Sequence, residues 1–163
     1  MPDAPARPRR LLDELDGSIP DLFPEQEASL NLARTATQIA RGFRLLFKRH
    51  GISDPQYNAL LIVVNAGRSG LRAETIRQRM VSDDSDTTRL VDRLEEAGYV
   101  RRERSASDRR CVQVIATPTG RTFLKKVQKE VETLHREQFG HLSATQLKQL
   151  NRLLFLVRHP DQA

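Results

Sequence analysis

The sequence predicts a mainly α-helical fold that carries one small β-hairpin. Two short helices with apolar faces follow each other between residues 74 and 97, and a polar turn with a strong helix-start signal separates them. A pair of short β-prone segments comes directly afterwards, and longer helices flank this central part on both sides. A helix-turn-helix followed by a hairpin is the order of elements in a winged helix-turn-helix.

The chain begins with a segment, residues 1–23, that has no helical periodicity. It contains several prolines and a basic cluster, Arg7, Arg9 and Arg10. We expect a flexible or irregular arm. A basic arm can touch DNA, but a solvated arm is the simpler interpretation.

Helical periodicity predicts a long helix over residues 25–50. Apolar residues recur there at steps of three and four, namely Ala33, Ala36, Ala40, Phe43 and Phe47. Gly51 then provides a helix stop. Ser53 and Gln56 form a capping box for the next helix, whose body, residues 57–66, is mostly apolar and should be buried on several sides.

The central helix pair is predicted from residue 74 onward. The first member, Glu74–Met80, should turn Ile76 and Met80 inward. The turn Ser82-Asp83-Asp84-Ser85 signals the next helix, for which we predict Asp83 as N-cap and a body over Asp84–Ala97. Its inward face has helical spacing and consists of Thr87, Leu90, Val91 and Leu94.

A hairpin and two further helices complete the prediction. The strands are Tyr99–Arg104 and Val112–Ala116, joined by the polar turn Ser105–Arg110. Thr117 as N-cap and Pro118 at the first helical position open a helix that extends to about residue 139. A second capping box, Ser143 with Gln146, opens the last helix, which extends to about residue 158.

Composition narrows the functional classes. The net charge of +6 makes a polyanion a candidate partner. Cys111 is the single cysteine and no apolar run is long enough to span a bilayer, so we expect a cytoplasmic protein without membrane contact. We find no phosphate-binding loop and no metal-binding motif, and the four histidines are scattered. We therefore expect no enzyme activity, no metal and no cofactor.

Four motifs in a fixed order resemble the MarR family of bacterial transcription regulators. They lie at residues 51–57, 88–100, 107–110 and 117–121, and the last is Thr117-Pro118-Thr119-Gly120-Arg121. The resemblance implies a homodimer with a DNA-binding winged lobe in each subunit, and in many members a repressor released by a small aromatic acid. It divides the chain into an arm (1–23), a dimerisation helix (24–52), the winged helix-turn-helix lobe (53–117) and C-terminal dimerisation helices (118–163).

The second helix of the pair would enter the major groove, where its first residues meet base edges. We expect DNA contacts from the exposed residues of this helix, namely Ser85, Asp86, Thr88 and Arg89. We expect a further contact from Arg72, which stands at the usual capping position of the preceding helix. Ser85, Thr88 and Arg89 can reach bases or phosphates. A plain polar helix face, and for Arg72 a solvated side chain, are the alternatives.

The hairpin favours DNA contact, because five arginines lie between Arg101 and Arg110 against two carboxylates. Arginine is attracted to a narrow minor groove, where negative potential is concentrated. The resemblance implies that Arg110 inserts and that Asp108 braces it. We include Arg104 and Arg109 among the expected contacts, and a solvated charged hairpin is the alternative.

Three carboxylates at the start of the recognition helix depart from the family pattern. Asp83 is explained as an N-cap, but Asp84 and Asp86 would repel phosphates. Either could instead accept a hydrogen bond from a cytosine amine. The sequence leaves this open.

The resemblance also implies an effector pocket lined by the first two helices of the folded part. Candidate residues for binding a small anionic or aromatic effector are Arg44, Phe47, His50 and Tyr57. Arg44 and His50 would suit an anionic ligand, or they could be surface residues. His50 could equally cap its own helix. Cys111 is expected to be structural.

Apolar residues on all sides of the last helix, Leu153–Val157, predict a partner, most simply a second copy of the chain. A two-fold dimer implies a near-palindromic site on double-stranded DNA. Two alternatives are a protein-interaction module without catalysis, which leaves the arginine-rich hairpin unexplained, and a constitutive DNA-binding protein without an effector.

Overall fold

The computed structural model describes residues 11–14, 22–81, 86–104 and 111–162. It contains seven helices and one two-stranded sheet in these ranges, followed by a 3-10 turn at Pro160–Gln162. In chain order the elements are α1 (Leu11–Glu14), α2 (Pro24–Arg49), α3 (Asp54–Asn65), α4 (Ala73–Arg79), α5 (Thr87–Glu96), β1 (Val100–Arg104), β2 (Val112–Ala116), α6 (Pro118–Phe139) and α7 (Ala144–Arg158). The mainly helical fold with a hairpin is therefore confirmed.

The chain forms two compact units, residues 1–42 and 43–163. In the first unit, α1 lies within the segment that we expected to be an irregular arm. The amide of Leu11 donates to Glu27 over 3.2 Å, and Glu14 pairs with Arg34 at 3.2 Å. The expectation therefore does not hold for Leu11–Glu14, while residues 1–10 and 15–21 lie outside the described residues.

The second unit is built around α3, whose apolar body predicted burial on several sides. Leu60 and Val63 of α3 are fully buried. They belong to a core whose other fully buried members come from every element between α4 and α6, namely Ile76, Val91, Leu94, Val100, Val114 and Val127. Because side chains from so many elements meet there, the helix pair and the hairpin share one core.

The hairpin is joined to the helix pair by a short bridge that sequence reasoning did not find. Strands β1 and β2 are antiparallel, with Val100 opposite Ala116 and Arg104 opposite Val112. Leu71, just before α4, exchanges backbone hydrogen bonds with Val114 at 3.0 and 2.8 Å. A bridge of a single residue pair leaves no periodic signal in the sequence, so the pairing of Leu71 with Val114 could not be predicted.

Gly70 makes that bridge possible. Its φ of +67° lies in the left-handed region that favours glycine. A Cβ at this position would stand 2.6 Å from the Ile115 side chain and 2.7 Å from the Val114 carbonyl oxygen. The role of Gly70 is therefore to allow the close approach of two backbone segments.

The fourth motif connects the hairpin to α6. The Thr117 side chain caps α6 by accepting from the Gly120 amide at 3.0 Å, and its hydroxyl donates to the Gly98 carbonyl at 2.7 Å. Gly120 packs directly on the Tyr99 backbone, where an added Cβ would lie 2.1 Å from the carbonyl oxygen. Arg121 donates to the carbonyls of Val64, at 3.3 Å, and Gly67, at 2.9 Å, at the end of α3.

Both predicted capping boxes are present, Ser53 with Gln56 and Ser143 with Gln146. Across the described ranges, none of the helices is both long and apolar enough to cross a bilayer.

Candidate nucleic-acid interface

Helix α5 presents one apolar and one polar face. Thr87, Val91 and Leu94 are buried against the core, as the predicted spacing required. Thr88 and Arg89 are exposed on the other side, and 86% of the Arg89 side chain is accessible. These two residues are therefore free to meet a ligand that lies along the exposed face of α5.

The start of α5 differs from the prediction. The helix begins at Thr87, not at Asp84, and its N-cap is Asp86, not Asp83. The carboxylate of Asp86 accepts from the Arg89 amide at 3.2 Å, so it satisfies one of the amides that a helix start leaves unpaired. An Asp at any of these neighbouring positions is a good N-cap, which is why the sequence alone did not distinguish them.

Asp86 also lies close to the side chain of Arg89, with 3.4 Å between Oδ2 and Nε. Part of its negative charge is thus compensated within the protein, and the carboxylate has an intramolecular role that needs no base contact. Asp83, Asp84 and Ser85 lie outside the described residues, as do Asp108, Arg109 and Arg110 at the hairpin turn.

The described part of the wing, β1 and β2, projects its charged residues in two directions. Arg101, Glu103 and Arg104 are exposed, and Arg101 pairs with Glu103 at 2.7 Å. Arg104 is the last residue of β1 before the undescribed turn. Its position at the end of the strand suits a contact with a phosphate or a groove.

Arg102 points to α5 instead. Its Nη2 donates to Asp92 at 2.6 Å, its Nη1 donates to Glu95, and its backbone amide donates to the same Glu95 carboxylate at 2.8 Å. Arg102 thus binds two carboxylates of α5 and links α5 to β1. Arg102 is one of the five arginines whose number favoured DNA contact by the hairpin, but its side chain is used for contacts within the protein.

The Arg102 guanidinium is partly buried by this arrangement. Burial would lower the pKa of Arg102, but the hydrogen bonds and charges of Asp92 and Glu95 outweigh it and raise the pKa above its ordinary value. The arginine therefore stays charged, and a planar guanidinium can bind both carboxylates at once. Arg102 lies on a strand, seven residues after Glu95 and ten after Asp92, and this spacing gave no sequence signal for the contact.

Arg72 occupies the N-cap position of α4, as the resemblance implied. Its side chain makes no capping hydrogen bond, and the residue is exposed. It lies just after Leu71, which pairs with β2. Arg72 is therefore available to an external anion at the edge of the helix pair.

A cavity of about 320 Å³ lies beside α3. Its aromatic wall consists of Phe43, Phe47 and Tyr57, with 4.7 Å between the ring centroids of Phe47 and Tyr57. The remaining lining residues are polar or aliphatic, namely Asp54, Asn58, His135, Pro55, Met80, Val81 and Val131. A cavity of this size and character can bind a small aromatic molecule.

Two of the four residues expected to line an effector pocket lie in this cavity. Phe47 and Tyr57 do, whereas Arg44 and His50 are not among its lining residues. The His50 ring pairs with Glu130 of α6 at 2.9 Å instead, and the same carboxylate accepts from Arg49 at 3.3 Å. His50 therefore links α2 to α6, and its ring is not used to cap its own helix.

Comparison with known proteins identifies the family. The sequence model of the MarR family matches residues 50–110, which cover the helix pair and the first strand of the hairpin. A MarR transcription factor from Planctomyces limnophilus is 35% identical in sequence, and its crystal structure superposes with a TM-score of 0.63 over 85% of this chain and 99% of that one. The chain belongs to the MarR family.

Two further relatives extend the comparison across the MarR family. The transcriptional repressor MprA of Escherichia coli is 25% identical over 133 residues, which are 80% of this chain and 76% of that protein. CouR from Rhodococcus jostii RHA1, solved bound to p-coumaroyl-CoA, is 24% identical and has a TM-score of 0.74 over 86% of this chain and 97% of that one. At this identity the CouR structure shows a shared fold.

MarR-family members regulate transcription, which is not an enzymatic function, and the family is dimeric. The expectation of a DNA-binding transcription regulator is therefore confirmed. In MarR terms, α5 is the recognition helix and β1–β2 is the wing. The structure brings Thr88, Arg89 and Arg104 to exposed positions on these two elements.

Proposed function

We propose that this chain is a sequence-specific repressor that binds DNA as a homodimer and is released by a small-molecule effector. The observation that carries the proposal is the link between the recognition helix and the wing through Arg102, Asp92 and Glu95. It holds the two DNA-facing elements of the fold in one orientation. Preorganised elements lose less entropy when they bind, so the link favours binding of a fixed DNA shape.

For the DNA contacts, we assign base or phosphate readout to Ser85, Thr88 and Arg89 of the recognition helix region. Arg72 and Arg104 would hold phosphates at the edges, and Arg109 and Arg110 would enter the minor groove with Asp108 as support. Asp86 acts mainly as the N-cap of α5. The exposure of Thr88, Arg89, Arg72 and Arg104 supports these roles.

The exposed apolar surface of α7 supports dimerisation through α2 and the C-terminal helices. Helix α7 has no buried residue, and its side chains Leu153, Phe155 and Val157 are 61%, 41% and 67% exposed. Large apolar side chains exposed together on one helix indicate a surface for a partner. We propose residues 24–52 and 118–163 as the dimerisation regions and residues 53–117 as the DNA-binding lobe.

Effector control is supported by where the cavity lies. Met80 and Val81 line it and immediately precede the segment that leads into the recognition helix at Asp86. A ligand in the cavity would therefore contact the connection between α4 and α5. Such a contact can change the population of DNA-binding orientations if the ligand favours one of them. Because the target is chromosomal DNA, we place the protein in the cytoplasm.

The proposal is tested by titrating the protein into labelled DNA from the region that flanks its own gene, at one fixed salt concentration. Fluorescence anisotropy should show tighter binding to a near-palindromic fragment than to random DNA. The substitution Arg89→Ala should weaken binding to the near-palindromic fragment by roughly 1–3 kcal/mol. Arg136→Ala, an exposed arginine on α6, is the matched control. Equal affinity for every DNA, or equal loss in both variants, would contradict the proposal.

A further inference from the structure

The wall of the cavity beside α3 contains a carboxylate, whereas a site for an anion would need a cationic group there. Among its described lining residues there is no lysine or arginine, and the one carboxylate is Asp54. Burial raises the pKa of Asp54, because a partly desolvated carboxylate is less stable in its charged form. In the described part of the chain no lysine or arginine is paired with this carboxylate.

The pKa of the Tyr57 hydroxyl is affected by the electrostatic potential at the cavity wall. Burial raises the pKa of the Tyr57 hydroxyl, and the carboxylates of Glu132 and Asp54 raise it further. Two carboxylates therefore act on the same point of the wall. The negative potential of these two carboxylates opposes entry of an anion and favours a cation, whereas desolvation, the larger cause of the raised Tyr57 pKa, disfavours either charge.

The aromatic wall of the cavity also favours a cation over an anion. Phe43 and Phe47 have their ring centroids 6.1 Å apart, and Phe47 and Tyr57 lie 4.7 Å apart. Phe47 and Tyr57 are buried in this stack, so the partly buried Phe43 offers the most accessible ring. The faces of aromatic rings attract cations and stack with flat ligands. His135 also lines the cavity, with its ring centroid 4.8 Å from that of Phe43.

We propose that this cavity binds an aromatic amine in its ammonium form, with the ring packed against Phe43 of the aromatic wall and the charge facing Asp54. The proposal rests on the proposed effector-controlled function and names its ligand class. Arg44 and His50, the two cations that would have suited an anionic ligand, are not among the residues that line the cavity. Asn58 supplies one more polar group for orientation.

The test compares three probes that share one ring system and differ in charge: naphthylethylammonium, naphthylacetate and naphthylethanol. Each is titrated into the intact protein without DNA by isothermal calorimetry at about pH 8, where the primary amine is protonated and an ordinary imidazole is neutral. We expect the ammonium to bind at least about tenfold more tightly than the carboxylate, a difference of about 1.4 kcal/mol.

Asp54→Asn removes the charge with little change in size and keeps the capping box of α3. It should weaken ammonium binding about fivefold or more, which corresponds to one charge contact at about 4 Å in water, and should leave naphthylethanol unchanged. Glu137→Gln, an exposed carboxylate on α6 that does not line the cavity, is the matched control and should change nothing.

Tighter binding of naphthylacetate, equal binding of the charged probes, or no binding of any probe would overturn the assignment. Ammonium binding that Asp54→Asn does not alter would overturn it as well, because the site would lie elsewhere. Circular dichroism of each variant confirms that it is folded. The calorimetry contains no DNA, so its failure leaves the DNA-binding proposal standing, and loss of DNA binding in the separate anisotropy assay overturns that proposal alone.

Discussion

The carboxylate of Asp92 lies 2.6 Å from the guanidinium of Arg102, and this contact joins the middle of the recognition helix to the first strand of the wing. Glu95, one turn further along α5, binds the other side of the same guanidinium. Two elements that we propose to read different grooves of DNA are thus held by a single side chain. The contact is partly exposed, so we expect its role to lie more in orientation than in stability.

Arg102→Ala should therefore weaken operator binding by about 1–3 kcal/mol, since the wing loses its fixed orientation and two carboxylates near the phosphates become unpaired. The melting temperature should fall only modestly. Arg102→Lys should not restore affinity, because an ammonium cannot bind both carboxylates in a planar fork. Anisotropy titration with a parallel thermal melt checks both, and unchanged affinity for Arg102→Ala would show that the link does not matter for binding.

Gly120→Ala should destabilise the fold. The added Cβ would lie 2.1 Å from the Tyr99 carbonyl oxygen, which is backbone and cannot move aside easily. We expect a loss of about 1–3 kcal/mol in the free energy of unfolding, as for other overpacked sites. Urea denaturation measures it, and Thr119→Ala, an exposed neighbour in the same helical turn, should cost far less.

Much of the fold could be predicted because its signals are local. Ser53 with Gln56, Ser143 with Gln146, and Thr117 with Pro118 each fix a helix start within four residues, and all three starts are confirmed. The start of α5 was wrong, since aspartates recur at 83, 84 and 86 and each can cap a helix. Local chemistry identifies such a signal but cannot choose among equivalent copies of it.

Contacts between distant residues could not be predicted in the same way. Arg102 looked like every other wing arginine, and its pairing with Asp92 and Glu95 depends on the angle between α5 and β1. His50 looked like a helix cap or a pocket residue, and its partner Glu130 is 80 residues away. Phe43, Asp54 and His135 were missed as cavity residues because only tertiary packing brings them together.

The dimer can be tested on the exposed face of α7. Leu153 and Val157 are one helical turn apart and are 61% and 67% exposed. Replacing both by Gln should leave the fold of each chain intact but give monomers at micromolar concentration, because the apolar area for a partner is lost. Light scattering measures the mass, and Val112→Gln, an exposed valine on β2 outside the proposed dimerisation regions, is the control. A wild-type monomer would contradict the proposed dimer.

The hairpin turn gives a prediction for a residue outside the described part of the chain. Arg110→Ala should weaken operator binding by roughly 1–3 kcal/mol if the side chain enters the minor groove. The fold should be unaffected, which a thermal melt checks. Gel-shift titration gives the affinity, and no change there would remove Arg110 from the interface.

Two substitutions at Asp86 can separate its role as a helix cap from the effect of its charge on DNA binding. Its carboxylate caps α5 through the Arg89 amide and lies 3.4 Å from the Arg89 side chain. Asp86→Asn keeps a good N-cap and removes the charge, so stability should change little. Repulsion of DNA phosphates disappears and Arg89 is no longer paired, so affinity for operator and random DNA should rise together.

Asp86→Ala removes the cap as well, and should lower the free energy of unfolding by about 1 kcal/mol. Anisotropy with both DNAs at one salt concentration, together with urea denaturation, measures the two effects separately. If Asp86→Asn weakens operator binding while random DNA is bound more tightly, the carboxylate accepts from a base amine and its role in recognition is direct. If neither affinity changes, the start of α5 faces away from the duplex, and the placement of this helix in the major groove is wrong.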